Sequence, residues 1–190
     1  MVSQQTQSRE TLPAIFGDEP FKSKQNRMNQ IPIPIIFISA FIILVLILNY
    51  LHNKKAFKYH KVIKDWLKQN SIEFDSTDFL KAETSQIGKK MNDGIGMVKC
   101  EIIVTNNAVI ILGKTLLNIN SNPIIFTRDF DYALRFPFAK VVIPNKINLN
   151  SFSNSTYFEF GEASFSNYLF KIRIYNVKEE IKSKIESALN

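Results

Sequence analysis

Residues 31–51 read IPIPIIFISAFIILVLILNYL and contain no charged side chain. As an α-helix rising about 1.5 Å per residue, this segment reaches about 30 Å, the thickness of the hydrocarbon core of a bilayer. A signal peptide would place its apolar run near the N-terminus, whereas thirty residues precede this one. A buried helix of a soluble protein would normally carry a polar face, which is absent between residues 35 and 48. The sequence therefore predicts one transmembrane helix over residues 31–51.

The basic residues on either side of this segment predict its orientation, because loops rich in Lys and Arg tend to stay in the cytoplasm. Three precede the span at short range and five follow it: Lys22, Lys24 and Arg27 before, and Lys54, Lys55, Lys58, Lys61 and Lys64 after. The bias predicts a cytoplasmic C-terminal domain, with residues 1–30 outside as a disordered tail. Lys54, Lys55 and Lys58 are then the residues expected to meet anionic lipid headgroups at the membrane surface.

The net charge of +7 could indicate a nucleic-acid-binding protein, but its distribution argues against one. Residues 52–68 carry six lysines and one aspartate. Residues 69–190 carry nearly equal numbers of basic and acidic side chains. The excess charge is therefore next to the membrane, where the lipid bilayer is the expected partner.

Residues 52–70 have a helical period, and two interpretations remain open for them. Tyr59, Val62, Ile63, Trp66 and Leu67 fall on one side and most of the lysines on the other. The helix either lies on the lipid surface or continues straight out of the span and packs its apolar stripe on the soluble domain. The second is favoured, because a lipid-bound helix needs a bend near residues 49–53 and no Pro or Gly is there to produce one.

The remainder of the chain predicts an antiparallel β domain that ends in a helix. Residues 71–94 are polar and are expected to form a linker with a short helix over residues 78–91, followed by a turn at Asn92-Asp93-Gly94. Strands are expected over residues 97–105, 108–113, 124–128, 139–144, 156–160 and 165–175, with a tight hairpin at Asn106-Asn107. Asn176 and Glu179 have the spacing of a capping box, and an apolar stripe follows: Val177, Ile181, Ile185, Ala188 and Leu189.

The predicted fold class is therefore α+β: an N-terminal transmembrane helix, a mainly antiparallel β domain over residues 95–190 and an amphipathic C-terminal helix. The hairpin CEIIVTNNAVIILGK and the closing segment YLFKIRIYNVKEEIKSKIESAL give this domain a pattern that resembles the pleckstrin-homology-like (PH-like) superfold, including GRAM and bacterial PH-like domains. The resemblance implies a β barrel or sandwich that acts as a binding module. Phosphoinositide-binding members carry basic residues around the loop after the first strand; here that loop is Asn106-Asn107, so headgroup binding by the domain is not implied. The Ile-, Asn-, Lys- and Phe-rich composition is typical of AT-rich bacterial genomes.

The residues that could carry chemistry are few, and each has a structural explanation. His52 and His60 are two helical turns apart, too far to share a metal ion. Cys100 is expected to be a small core residue. Asp129 and Asp131 lie on one side of an extended segment and could bind a cation or transfer protons, but a solvated loop is the preferred interpretation. We therefore expect no enzyme activity, no cofactor and no metal site.

Three hypotheses follow from the sequence. The preferred one is a single-pass membrane protein whose cytoplasmic PH-like domain is a binding or scaffold module for an unidentified protein partner. The alternative inverts the layout, with an extracytoplasmic α+β domain that belongs to a membrane-anchored assembly or secretion component. The third, an enzyme that uses Asp129 and Asp131, is the least favoured.

Overall fold

A computed structural model describes residues 33–88, 96–151, 154–162 and 168–190 of the chain. The tail predicted over residues 1–30 and the turn predicted at Asn92-Asp93-Gly94 lie outside these residues. The first element is a single α-helix, α1 (Ile33–Gln69), of 37 residues and therefore about 55 Å. Its apolar N-terminal half continues without a break into the basic half, as the preferred interpretation of residues 52–70 required.

A Schellman motif ends α1. Ser71 adopts a left-handed conformation with φ of 52°, its N–H donates to the Lys68 carbonyl, and the Ile72 N–H donates to the Leu67 carbonyl. The apolar contact that accompanies this motif is present, because Leu67 and Ile72 belong to the same hydrophobic cluster. The chain therefore turns back towards the helix as soon as the helix ends.

Nine strands and two further helices follow among the described residues. They are β1 (Asp75–Ser76), β2 (Leu80–Gly88), β3 (Lys99–Val104), β4 (Ala108–Lys114), β5 (Ile124–Thr127), α2 (Asp131–Arg135), β6 (Lys140–Val142), β7 (Lys146–Ser151), β8 (Ser155–Gly161), β9 (Tyr168–Tyr175) and α3 (Glu179–Leu189). The strand order is β6-β5-β4-β3-β2-β9-β8-β7, with β1 paired to β3. Each of these pairs is antiparallel except β5–β6, which is parallel. The fold is α+β with a mainly antiparallel open sheet.

Strand β2 joins the two halves of this sheet. Its first residues, Leu80 and Lys81, pair with β3, and residues 82–88 pair with β9. The halves face each other, since the Phe126 ring of β5 stacks on the Phe158 ring of β8 with centroids 4.8 Å apart. Helix α3 covers the same side of β3–β5 with its buried Ile181, Ile185 and Leu189, and Val177 is buried just before the helix begins. The apolar stripe predicted for the C-terminal helix is confirmed.

Helix α1 covers the opposite side of β3–β5. Ile63 and Leu67 are fully buried against apolar side chains of these strands: Ile103, Ala108, Ile110, Leu112 and Ile125. Strands β4 and β5 are therefore apolar on both faces and buried along almost their whole length. On the face of β3 that also carries Lys99 and Glu101, Ile103 is apolar and packs against this helix.

The structure corrects two predictions. The segment predicted as a linker with a helix over residues 78–91 contains β1 and β2 instead, because β2 pairs at its start with β3 and over the rest of its length with β9, which is distant in sequence. Such a helix would carry Phe79, Ile87 and Met91 on its apolar side; Phe79 and Ile87 are exposed, and Met91 lies outside the described residues. The capping box is also wrong, since α3 begins at Glu179 after Lys178, while Asn176 has a positive φ of 58°.

Candidate membrane-proximal surface

The N-terminal half of α1 is apolar and covered by nothing in the part of the chain that the structure describes. Large hydrophobic side chains from Ile35 to Leu51 are exposed on every side of the helix. By length and composition, α1 is the one helix among the described residues that could cross a membrane. An exposed apolar surface of this size requires a lipid or protein cover.

The three lysines predicted at the membrane surface lie directly after this apolar half. Lys54, Lys55 and Lys58 are all exposed, and the Lys55 ammonium lies 5.8 Å from the centroid of the Tyr59 ring. By helical geometry, Lys54 and Lys58 face away from the buried Ala56, so they point away from the sheet. Their charges are free to meet a negatively charged surface.

Hydrogen bonds hold the sheet domain to the same part of α1. The Asn53 side-chain oxygen accepts hydrogen bonds from the Asn120 backbone N–H at 2.9 Å and from the Asn120 side-chain amide at 2.7 Å. Two turns further on, His60 Nε2 lies 2.7 Å from the Ser121 carbonyl oxygen. A carbonyl can only accept, so His60 is the donor in this bond. The domain is therefore attached to α1 from the second residue after Leu51 onwards.

His60 is the most unusual titratable group of this contact. It is buried, and burial lowers the pKa of its imidazole, although the Ser121 carbonyl and the Glu101 charge act in the opposite direction. The charges of Lys64 and Lys114 lower this pKa further. Neutral His60 is thus the form that fits the contact. Its role as a packed hydrogen-bond donor gives no support to a metal site with His52.

An ion pair and an aromatic cluster complete the attachment. Lys64 donates to both carboxylate oxygens of Glu101 at 2.8 Å. Trp66 packs edge-on against Phe136 with centroids 5.2 Å apart, and Tyr59 stacks on Phe138 at 4.1 Å. The aromatic side chains of residues 131–139 are thus largely used to hold α1.

The turn between β4 and β5 carries two exposed leucines beside this attachment. Leu116 and Leu117 are 83% and 72% exposed. The Thr115 N–H donates to the Ile119 carbonyl at 2.8 Å, and the Asn118 N–H donates to the Thr115 carbonyl at 2.9 Å. The turn is therefore a closed, hydrogen-bonded structure. No sequence pattern distinguishes this turn, because its position beside α1 depends on the Asn120 contact.

Of the two carboxylates considered for acid–base chemistry, that of Asp129 orders two turns. Asp129 accepts from the Asn107 side-chain amide at 3.1 Å and from the Asp131 backbone N–H at 2.9 Å. It links the β3–β4 hairpin to the first turn of α2. Across residues 33–88, 96–151, 154–162 and 168–190, no group of three His, Cys, Asp or Glu side chains could hold a metal ion.

Cys100 lies in the core between the two halves of the sheet. It is fully buried, and burial raises the pKa of its thiol to about 12. A thiol of this kind is unreactive at neutral pH because the nucleophile is the thiolate.

The outer face of the second half of the sheet forms a polar groove of about 590 Å³. Register places Glu83, Arg173, Tyr157 and Asn148 in one row, and Ser85, Lys171, Glu159 and Lys146 in the next. Arg173 Nε is buried and has no hydrogen-bond partner among the described residues. The groove offers cations, carboxylates and hydroxyls to a polar partner.

Comparison with models of known protein families, with curated proteins and with solved structures found no match to this chain.

Proposed function

We propose that this chain is a single-pass membrane protein whose sheet domain is a PH-like binding or scaffold module held against the cytoplasmic face of the bilayer. The observation that carries the proposal is the continuity of α1. One uninterrupted helix is exposed and apolar up to Leu51 and is attached to the sheet from Asn53 onwards. The domain cannot leave the membrane surface without breaking that attachment.

The PH-like character of the domain is supported by the order of its elements. An antiparallel meander, β2 to β5, is followed by three more antiparallel strands, β7 to β9, and by one amphipathic helix against the inner core. Strand β1 and the parallel strand β6 are additions to that order. The polar groove on β2, β7, β8 and β9 is where we place the contact with a protein partner, since neither α1 nor α3 covers it.

The lysines after the apolar half support the cytoplasmic orientation and a contact with anionic headgroups. Each Lys near such a surface contributes about 1 kcal/mol of attraction. Lys54, Lys55 and Lys58 are exposed in the first two turns after Leu51, so all three are within reach of the headgroups.

Orientation is tested by cysteine labelling, which the buried Cys100 leaves free of background. We expect a Ser183→Cys variant, which places a thiol on the exposed side of α3, to react with a membrane-impermeant maleimide only after spheroplasts are lysed. A Ser3→Cys variant is the matched control for the other side and is expected to react before lysis. The reverse pattern would contradict the proposal and favour the extracytoplasmic assembly component.

A further inference from the structure

The two leucines of the β4–β5 turn lie at the membrane end of the domain. Ser121 contacts α1 at His60, and the next residue towards the turn, Asn120, contacts it at Asn53. From Ser121 to Asn120 the partner on α1 therefore changes from His60 to Asn53, which lies two helical turns nearer the apolar half. Residues 115–119 form the tip beyond Asn120, and Asn53 is only about 3 Å along the helix from Leu51.

The opposite end of the same strands has a different character. The β3–β4 turn is Asn106-Asn107, and its neighbour Tyr132 packs near Trp66 with centroids 6.1 Å apart. Trp66 is about 20 Å further along α1 than Asn53. The strands thus carry an exposed Leu-Leu turn where α1 is about to become apolar, and an Asn-Asn turn at the distant end.

We propose that Leu116 and Leu117 insert into the interfacial region of the bilayer that α1 crosses, and so give the domain a second contact with the membrane. This inference rests on the proposed span. It extends the proposal, because the span alone leaves α1 and the attached domain free to rotate together about the helix axis. We expect these leucines to contact lipid rather than a protein. The bond between Asn120 and Asn53 holds the turn at the level of α1 where the apolar half ends and where Lys54 and Lys55 follow. Lys114 lies at the base of the turn, with its ammonium 4.2 Å from the centroid of the Phe79 ring.

The turn is suited to insertion because it is already ordered. Its two internal hydrogen bonds and the left-handed Asn118, with φ of 59°, fix the backbone before contact. Asn53 and Asn120 hold its base to the helix. Little conformational entropy is therefore lost when the leucine side chains enter lipid.

The test places an environment-sensitive fluorophore on single introduced cysteines of the full chain in phosphatidylethanolamine–phosphatidylglycerol vesicles. We expect the probe at Leu116→Cys to have blue-shifted emission and to be quenched by lipids with a nitroxide near the headgroup. Leu134→Cys is the matched control, because this leucine is equally exposed at 81% but lies on α2, beside Trp66. A Leu117→Asp change in the Leu116→Cys background is expected to reduce the quenching towards the Leu134 value.

A third probe separates the inference from the span on which it rests. Val45→Cys lies in the middle of the apolar half and should be quenched by lipids with a nitroxide deep in the acyl chain. If Val45 is quenched while Leu116 behaves like Leu134, the insertion of the turn is wrong and the span stands. If Val45 is not quenched, the proposed function fails and the inference fails with it.

Discussion

At the scale of single residues, the structure gives His60 a role that the sequence did not indicate. In the sequence it belongs to a lysine-rich stretch and shows no partner. In the structure it is buried and hydrogen-bonded to Ser121, 61 residues away. No pattern of neighbouring residues predicts such a contact, because the partner is a backbone carbonyl in a distant loop.

The lowered pKa of His60 predicts a pH-dependent attachment of α1. Below pH 6.5 the unfolded chain binds a proton at this imidazole while the folded chain resists it, so stability is full above pH 6.5 and falls as the pH drops towards the folded pKa. We expect the thermal midpoint, followed by the fluorescence of Trp66, to fall between pH 7 and pH 5.5. A His60→Gln variant keeps the donor to Ser121 and should lose this part of the slope. An equal slope in both proteins would contradict the assignment.

Phe126 belongs to the hydrophobic core between the two halves of the sheet. It is fully buried, stacked on Phe158 and in edge contact with Phe160 at 5.4 Å. We expect Phe126→Ala to lower the free energy of unfolding by about 3–5 kcal/mol, because it leaves a cavity between the two halves of the sheet. Phe130→Ala removes the same ring from a position 72% exposed and should change stability by less than about 0.5 kcal/mol. Chemical denaturation of both variants in detergent would measure the difference, and similar losses would contradict the packing of the two halves of the sheet against each other.

At the scale of elements, the sequence predicts those strands whose hydrophobic pattern is local and misses those that depend on distant partners. Strands β3, β8 and β9 alternate, and β4 is a short apolar run after a turn; their predicted and described bounds agree within a few residues, and residues 165–167 of the predicted last strand lie outside the described residues. Strand β2 was mistaken for a helix because its polar residues give no alternation of hydrophobicity, and its main partner, β9, lies about ninety residues further on. Strand β7 was not predicted, since Ile147 and Leu149 are its only apolar residues.

The ion pair between α1 and β3 is the element-scale contact that is most open to test. The Glu101 side chain is only 10% exposed, so Lys64→Met leaves a poorly solvated carboxylate without its partner. We expect a loss of about 2 kcal/mol in the free energy of unfolding. Replacing both residues, as Lys64→Met with Glu101→Leu, should recover most of it, because an apolar pair needs no counter-charge at this position. A double variant no more stable than Lys64→Met would show that the pair does not carry this contact.

At the scale of the whole molecule, α1 determines where the domain is placed. The apolar segment and the amphipathic segment were both visible in the sequence, and the absence of Pro and Gly between them predicted one continuous helix. The level at which the sheet attaches was not visible, because it depends on Asn53, Asn120 and Ser121, whose contacts join distant parts of the chain. In the proposed arrangement that level, two residues beyond Leu51, brings the domain next to the bilayer.

The central claim is that α1 crosses a bilayer and carries the sheet domain against it, and alkaline carbonate extraction of membranes from cells that express the full chain tests it most directly. Peripheral proteins are released at high pH, whereas a helix of about twenty apolar residues stays in lipid. We expect the chain to remain in the membrane pellet at its full intact mass. Recovery in the supernatant, or a product shortened by loss of the apolar segment, would contradict the account.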